Sequence, residues 1–279
     1  MSGRVAGRVC LVTGSTGIAA AGATHLAAEG ARIFVVSRTA DNADALAARI
    51  RAAGGTADAH AADLTDEVAV DGAIAACLAA AGRIDGLLSV AGGSGRRFGD
   101  GPIHELTADG WDRTLELNLR SQALVSRAVV RAMLAQAPLP TAGRGSIVLV
   151  SSVLATRPVP ELFATHAYAA AKGAIVSLGL AMAASYAPSG IRVNVLAPGL
   201  TATPMSARAA ADQATVAFVA RKQPLIGGFL DADDIAAAAV YLLADESRAV
   251  TGQVLAVDGG WSVTSASPPD PAAPSGRAS

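Results

Sequence analysis

Tyr168 and Lys172 stand four positions apart in THAYAAAKGA, residues 165–174, a stretch otherwise made largely of alanine. At 3.6 residues per helical turn, positions i and i+4 lie one above the other on the same face, so a phenol oxygen and a lysine nitrogen can share one small site. A free phenol has a pKa of about 10, too high to release a proton readily near neutrality, and a cation one turn away favours the phenolate. The pair is therefore a candidate proton-transfer device, with Tyr168 as acid or base and Lys172 as its tuning charge. The same spacing also suits an amphipathic rim whose lysine stem covers apolar surface. The surrounding elements have to decide between the two.

A second candidate is TGSTGIAAAG, residues 13–22, which follows the apolar run RVCLVT (8–13) and opens a helical pattern. A glycine turn between a buried strand and a helix N-terminus is an anion site. Backbone N–H groups freed in the first turn, with the positive end of the helix dipole, stabilise a nucleotide pyrophosphate that glycine allows to come close. Gly14, Ser15, Thr16, Gly17 and Ile18 are the expected contacts, although Gly14 and Gly17 would also serve a plain tight strand-to-helix turn.

Six further short runs share the character of the first: RIFVVS (32–37), TADAHA (56–61), GLLSVA (86–91), SIVLVS (146–151), IRVNVL (191–196) and QVLAVD (253–258). Helical patterns lie between them over about 17–29, 41–53, 66–81, 107–136, 165–187 and 231–244. Alternation of near-continuous apolar strands with helices predicts a parallel sheet covered on both faces. The expected fold is a Rossmann-like, doubly wound α/β architecture of seven parallel strands in three layers. It forms one domain over 5–262, and the Pro-, Ser- and Ala-rich tail 264–279 reads as disordered.

Composition narrows the function classes. The chain has 279 residues, 52% of them hydrophobic, with 22 basic and 23 acidic side chains. That is ample for a large core, and the charge balance offers no general footprint for nucleic acid or an anionic membrane. Cys10 and Cys77 sit in apolar segments and read as core residues of a reducing compartment. The four histidines are scattered without metal-ligand spacing, so no metal site is expected. The apolar run after Arg8 is too short for a signal peptide, and the apolar stretch 235–244 falls well below the roughly 18 residues of a membrane span. A cytoplasmic protein without a membrane segment is the expectation.

Taken in order, the landmarks Thr13-Gly14, Ser89-Val90-Ala91-Gly92, Asn118, Ser152, Tyr168 with Lys172, and Pro198-Gly199 resemble the short-chain dehydrogenase/reductase family over residues 8 to about 260. That family carries T-G-x-x-x-G-x-G, Asn-Asn-Ala-Gly, a helical Asn, a Ser ending strand five, Tyr-x-x-x-Lys and a Pro-Gly turn. Two departures stand out. The glycine loop is one residue short, with Ala19 in place of the last glycine, and Ser89-Val90 replaces the Asn-Asn pair.

The resemblance implies hydride transfer between a nicotinamide and a ketone or secondary alcohol, with Tyr168 as acid/base. Lys172 would tune the phenol and bond the nicotinamide ribose, and Asn118 would hold helix backbone and a water in a proton relay. Ser152 would hold the substrate oxygen. Ser151 competes for that role, because side chains alternate along a strand and only one of the two can face the site.

For the cofactor, Ser37-Arg38 at the end of strand two lacks the carboxylate that would repel a 2′-phosphate, and Arg38 offers charge-assisted hydrogen bonds to it. NADP(H) is expected, with NAD(H) the lesser choice and a solvated Arg38 the alternative. Asp63 and Leu64 resemble the adenine contact, although Asp63 equally suits a turn. Ala91 and Gly92 would admit the nicotinamide ribose, and Pro198, Gly199, Thr201 and Thr203 the carboxamide and adjacent phosphate. Residues 204–229 read as a mobile substrate lid, and 92–101 as a second source of selectivity. There Arg96 and Arg97 are taken as solvated loop charges, recognition of an acidic substrate being the alternative. A homo-oligomer, tetramer or dimer, is implied. A non-catalytic NADP(H)-binding regulator on the same fold is the other functional reading, suggested by the altered loop and the missing Asn-Asn.

Overall fold

The run after Arg8 forms β1 (Val9–Thr13), with every residue buried. The remaining runs form β2 (Arg32–Ser37), β3 (Thr56–Ala61), β4 (Gly86–Ser89), β5 (Gly145–Val150), β6 (Ile191–Pro198) and β7 (Val254–Val257). The computed structural model describes residues 3–141 and 143–265. The tail reading, from residue 266 onward, lies outside the described residues. Between the strands run α1 (Gly17–Ala28), α2 (Ala40–Ala52), α3 (Glu67–Ala81), α4 (Ala108–Leu115) and α5 (Ser121–Ala135). They are followed by the short α6 (Pro160–Phe163), the long α7 (His166–Tyr186), the short α8 (Ala207–Ala210), α9 (Gln213–Lys222) and α10 (Ala232–Leu243).

All seven strands pair in parallel in the order β3-β2-β1-β4-β5-β6-β7. Chain order reverses between β1 and β4, and in such sheets ligands bind in the crevice at the carboxyl ends of the strands on either side of that point. The two-residue period of the strands divides the core. Val9 and Leu11 of β1 face a layer built with α3, α5 and α7, while Cys10 and Val12 face one built with α1, α2 and α10. Burial pushes both Cys10 and Cys77 thiols up to about 12, as suits inert core residues.

Four details differ from the sequence expectation. The helix expected over 107–136 is broken by a π-helical turn, Glu116–Arg120, inserted between α4 and α5. The edge strand β7 is not a buried run, since Val254 and Leu255 are exposed. Residues 204–229 are not an open stretch, because α8 and α9 occupy much of them. Phe218 and Val219 of α9 are fully buried, and Phe218 meets Trp261 edge-on at 5.7 Å between ring centroids. A helix other than the stretch 235–244, the one from His166, is by length and composition long and apolar enough to cross a membrane. Here it lies on the sheet, with Ile175, Met182 and Ala183 in the core.

Candidate active site

A cavity of about 280 Å³ opens at the carboxyl end of the sheet. The glycine loop from Gly14 to Ala19 forms one wall, the ends of β4 and β5 the floor, α7 with Tyr168 and Lys172 the far wall, and the stretch from Pro198 to Ala209 the roof. The topology thus brings the two sequence candidates, the glycine turn and the Tyr–Lys pair, to opposite sides of one space.

The start of α7 has to be held firmly for Tyr168 to be a precise instrument. Its own N-cap residue, Thr165, makes no side-chain cap. The cap comes instead from Asp100, remote in sequence and nearly fully buried, whose two carboxylate oxygens accept from the Ala167 and Tyr168 backbone N–H groups, each at 3.0 Å. The negative charge also suits the positive end of the helix dipole. Asp100→Ala would leave both donors unpaired, so a loss of about 2 kcal/mol is expected. In a chain of this size that lowers the Tm by about 4–8 °C. A thermal-denaturation comparison checks this, and an unchanged Tm would show that the cap carries no load.

Burial dominates the protonation of the pair. The Tyr168 phenol is pushed up to about 12, while the adjacent Ser152 hydroxyl works the other way by bonding to the phenolate. The Lys172 ammonium is only 4% exposed, and burial alone brings it down to about 8. Its Nζ donates to the Val150 carbonyl at 2.9 Å and lies 5.6 Å from the centre of the Tyr168 ring. The sequence expectation had Lys172 drawing the phenol pKa down. In the protein alone desolvation is the larger influence on the ring, and the phenol holds its proton at neutral pH.

Strand alternation separates the two serines. Ser151 is buried and donates to the Lys172 backbone carbonyl at 2.7 Å, facing α7. Ser152 leaves the strand in an extended conformation, accepts from the Leu154 N–H at 3.2 Å and stands at the phenol. Asn118 occupies the π-helical turn and is fully buried. Its amide donates to the carbonyls of Thr114 and Gly93, both at 2.9 Å, and its Oδ1 accepts from the Gly93 N–H at 3.1 Å. The inserted turn therefore ties the loop after β4 to the helix. Gly92 is required here, because a Cβ would come within 2.6 Å of Asn118 Oδ1.

The strand end that carries Ser89-Val90 is held from another strand. Thr13 Oγ1 accepts from the N–H groups of Val90 at 3.0 Å and Ala91 at 3.1 Å, pinning the end of β4 to β1. Ser89 Oγ is buried without a partner.

On the opposite wall, the N-terminus of α1 has no side-chain cap and no acidic residue in its first turn, and Gly14 takes a left-handed φ of 93°. Ala19, in place of the family's last glycine, is buried with its Cβ 3.1 Å from where a Gly14 Cβ would lie. An uncapped helix start lined by glycine backbone fits a pyrophosphate. Ser15, Thr16, Gly17 and Ile18 line the cavity beside it, as do Pro198, Gly199, Thr201 and Thr203 opposite.

Ser37, Arg38, Asp63 and Leu64 lie outside the cavity's lining, at the ends of β2 and β3. Ser37 Oγ is 3.0 Å from Ser15 Oγ, so two hydroxyls from adjacent turns converge. Asp63 Oδ1 accepts from the Thr65 N–H and hydroxyl, bonds that with the nearby Arg38 charge hold its carboxyl below the usual range. Leu64 is buried in the core beneath.

Three positioning residues escaped the sequence reading: Asp100, Gln122 and Gln223. Gln122 donates to the same Val150 carbonyl as Lys172, at 3.1 Å. The fully buried Gln223 accepts from the Leu200 N–H at 2.6 Å and donates to the Leu200 and Gly228 carbonyls, fastening the exit of β6 to the roof. Each acts across distant parts of the chain, and only the polar types at otherwise apolar segments hint at it.

This geometry meets a matching sequence record. A family model described as enoyl-(acyl carrier protein) reductase spans residues 12–262. A cis-4-hydroxycyclohexanecarboxylate dehydrogenase of Sinomonas cyclohexanicum is 38% identical over 91% of this chain and 96% of its own length. The chain belongs to the short-chain dehydrogenase/reductase family. This member is also 37% identical to a D-threitol dehydrogenase of Mycolicibacterium smegmatis, over 93% of this chain and 95% of the relative. Among solved structures, a gluconate 5-dehydrogenase from Burkholderia cenocepacia, in complex with NADP and tartrate, superposes with a TM-score of 0.84. It is 33% identical, over 93% of this chain and 96% of that one.

Proposed function

We propose that this short-chain dehydrogenase/reductase is an NADP(H)-dependent oxidoreductase that interconverts a ketone and a secondary alcohol. The observation that carries the reading is the convergence of Ser152, Tyr168 and Lys172 on a cavity whose other wall is the glycine loop. Relatives named as dehydrogenases of hydroxy acids and polyols support the alcohol side of it.

The residues present fit a nicotinamide dinucleotide. The glycine loop and the start of α1 would hold its pyrophosphate, Ser15, Ser37 and Arg38 its ribose phosphate, and Lys172 its nicotinamide ribose. When bound, that cofactor supplies or accepts the hydride. The chain's own part is the proton and the orientation. The Ser152 hydroxyl donates to the substrate oxygen and fixes it against Tyr168. The Tyr168 phenol, protonated at neutral pH, gives its proton to that oxygen in reduction, and takes one back in oxidation when Lys172 stabilises the phenolate. Asn118 holds the π-helical turn under Gly92 and Gly93 and keeps the floor fixed.

The NADP preference rests on the end of β2, where Ser37 and Arg38 stand in place of an acidic residue. Arg38→Asp is expected to reverse the preference, weakening NADPH at least about tenfold through lost charge-assisted bonds and added repulsion. Fluorescence titration with NADPH and NADH decides the matter. Equal affinities before and after the change would overturn the assignment. Turnover is tested by following NADPH oxidation at 340 nm against carbocyclic, hydroxy-acid and sugar ketones; binding of NADPH without oxidation of any of them would leave a regulator. The exposed apolar edge at Val254 and Leu255 supports a homo-oligomer as part of the same reading.

A further inference from the structure

The cavity contains two cations that the hydride chemistry does not use. Arg96 comes from the 3₁₀ turn Arg96–Phe98 after β4, and Arg208 from α8 in the roof, and both line the same cavity. The Arg96 guanidinium reaches only the Leu162 carbonyl, at a long 3.4 Å, in the segment that leads into Tyr168. Leu154, Phe163 and Met205 form the apolar wall beside it.

Neither guanidinium has an ion-pair partner among the described residues. The nearest carboxylates are already committed. Asp100 accepts from the start of α7, and Asp212 accepts from the Thr215 N–H and hydroxyl. The two arginines feel each other, and partial burial together with the Arg208 charge holds Arg96 below its usual range. Both side chains are exposed at the cavity, so each stays solvated until an anion joins the two. Arg97, the next residue along, is built differently. It lies 4.5 Å from the centre of the Phe98 ring and does not line the cavity.

We propose that Arg96 and Arg208 form a subsite for a compact oxyanion, a carboxylate or sulfonate, carried by the substrate at the end remote from the reacting carbon. This rests on the oxidoreductase reading and names its substrate class: anionic secondary alcohols and ketones with a short apolar body that fits between Leu154, Phe163 and Met205.

The test compares kcat/KM for cis-4-hydroxycyclohexanecarboxylate with that for its methyl ester, using NADP⁺ at saturation. The acid is expected to be the better substrate by at least about tenfold, and Arg96→Gln or Arg208→Gln each to cut that ratio about tenfold. Arg97→Gln should keep it. A second measurement needs no turnover: calorimetric titration of cyclohexanecarboxylate and cyclohexanesulfonate into the NADP⁺-loaded protein. Binding of either anion, weakened in both Gln variants, supports the subsite. An ester turned over as well as the acid, anion binding indifferent to both substitutions, or variants that lose NADP⁺ affinity instead would overturn it. If neither alcohol reacts and no ketone of the panel is reduced, yet the anions bind through Arg96 and Arg208, the oxidoreductase reading fails while the subsite stands. If both alcohols react equally, the reverse holds.

Discussion

Tyr168→Phe is expected to lower turnover by about 10²- to 10⁴-fold in both directions, the range associated with losing a positioned acid or base. The ring stays in place on α7, and the groups that lose a partner are the Ser152 hydroxyl and the substrate oxygen. Binding of NADPH, followed by fluorescence, should survive, and the Tm should hold or rise, because a buried phenol is replaced by a purely apolar ring. The loss is specific to one oxygen atom. With a phenol pushed up to about 12, the resting enzyme carries the proton that a nascent alkoxide requires. Reduction is therefore served by the ground state, and oxidation needs the phenolate to be made. Turnover by the Phe variant within tenfold of the parent would remove Tyr168 from the mechanism. A parallel loss of NADPH binding would show instead that the ring holds the cofactor.

Much of this site was legible because its signals are local. The i, i+4 spacing put Tyr168 and Lys172 on one face, and β1 followed by a glycine turn located the phosphate wall. Alternation distinguished two serine orientations without saying which served; the Ser151 bond to the Lys172 carbonyl assigns that residue to α7. What could not be read depends on hydrogen-bond register or on partners far away in sequence. Apolar periodicity runs through Asn118 almost unchanged whether the helix is α or π, so the inserted turn left no mark. Asp100 caps a helix that begins well beyond it, and Thr13 of β1 holds the end of β4. The order of α9 was hidden too, because Phe218 is buried against Trp261, a residue from beyond β7. Nor does spacing show solvation: the folded environment adds to each of Tyr168 and Lys172 a desolvation cost that no pairwise view of the two contains.

Lys172→Met should make that cost measurable. An unfolded lysine titrates at about 10.4 and Lys172 in the fold at about 8, so between those values the unfolded chain binds more protons than the native one. Stability therefore rises with pH across that window, at about 1.4 kcal/mol per unit, and below about pH 8 the native state bears the whole penalty of a buried ammonium. The Tyr168 shift has the opposite consequence but only above about pH 10, where an unfolded phenol would begin to ionise. The interval from 8 to 10 thus reports the lysine. Melting curves of parent and Lys172→Met taken in parallel should diverge in the parent's favour by about 2 kcal/mol from pH 7.5 to 10. The comparison is clean because the Val150 carbonyl keeps the Gln122 donor after the substitution. Parallel pH profiles would mean that the ammonium is solvated in the folded protein. Catalysis should show the same proton. Above about pH 8 Lys172 is a neutral amine that can take the Tyr168 proton, so the phenolate–ammonium form arises by transfer within the pair, with no further proton lost to solvent. Oxidative kcat/KM is expected to climb to a plateau through about pH 8 in the parent. In Lys172→Met the limb should move toward the bare phenol's range, with activity at pH 8 down by about 10²- to 10⁴-fold. A limb that stayed near 8 without the lysine would assign it to another group and detach Lys172 from the proton transfer.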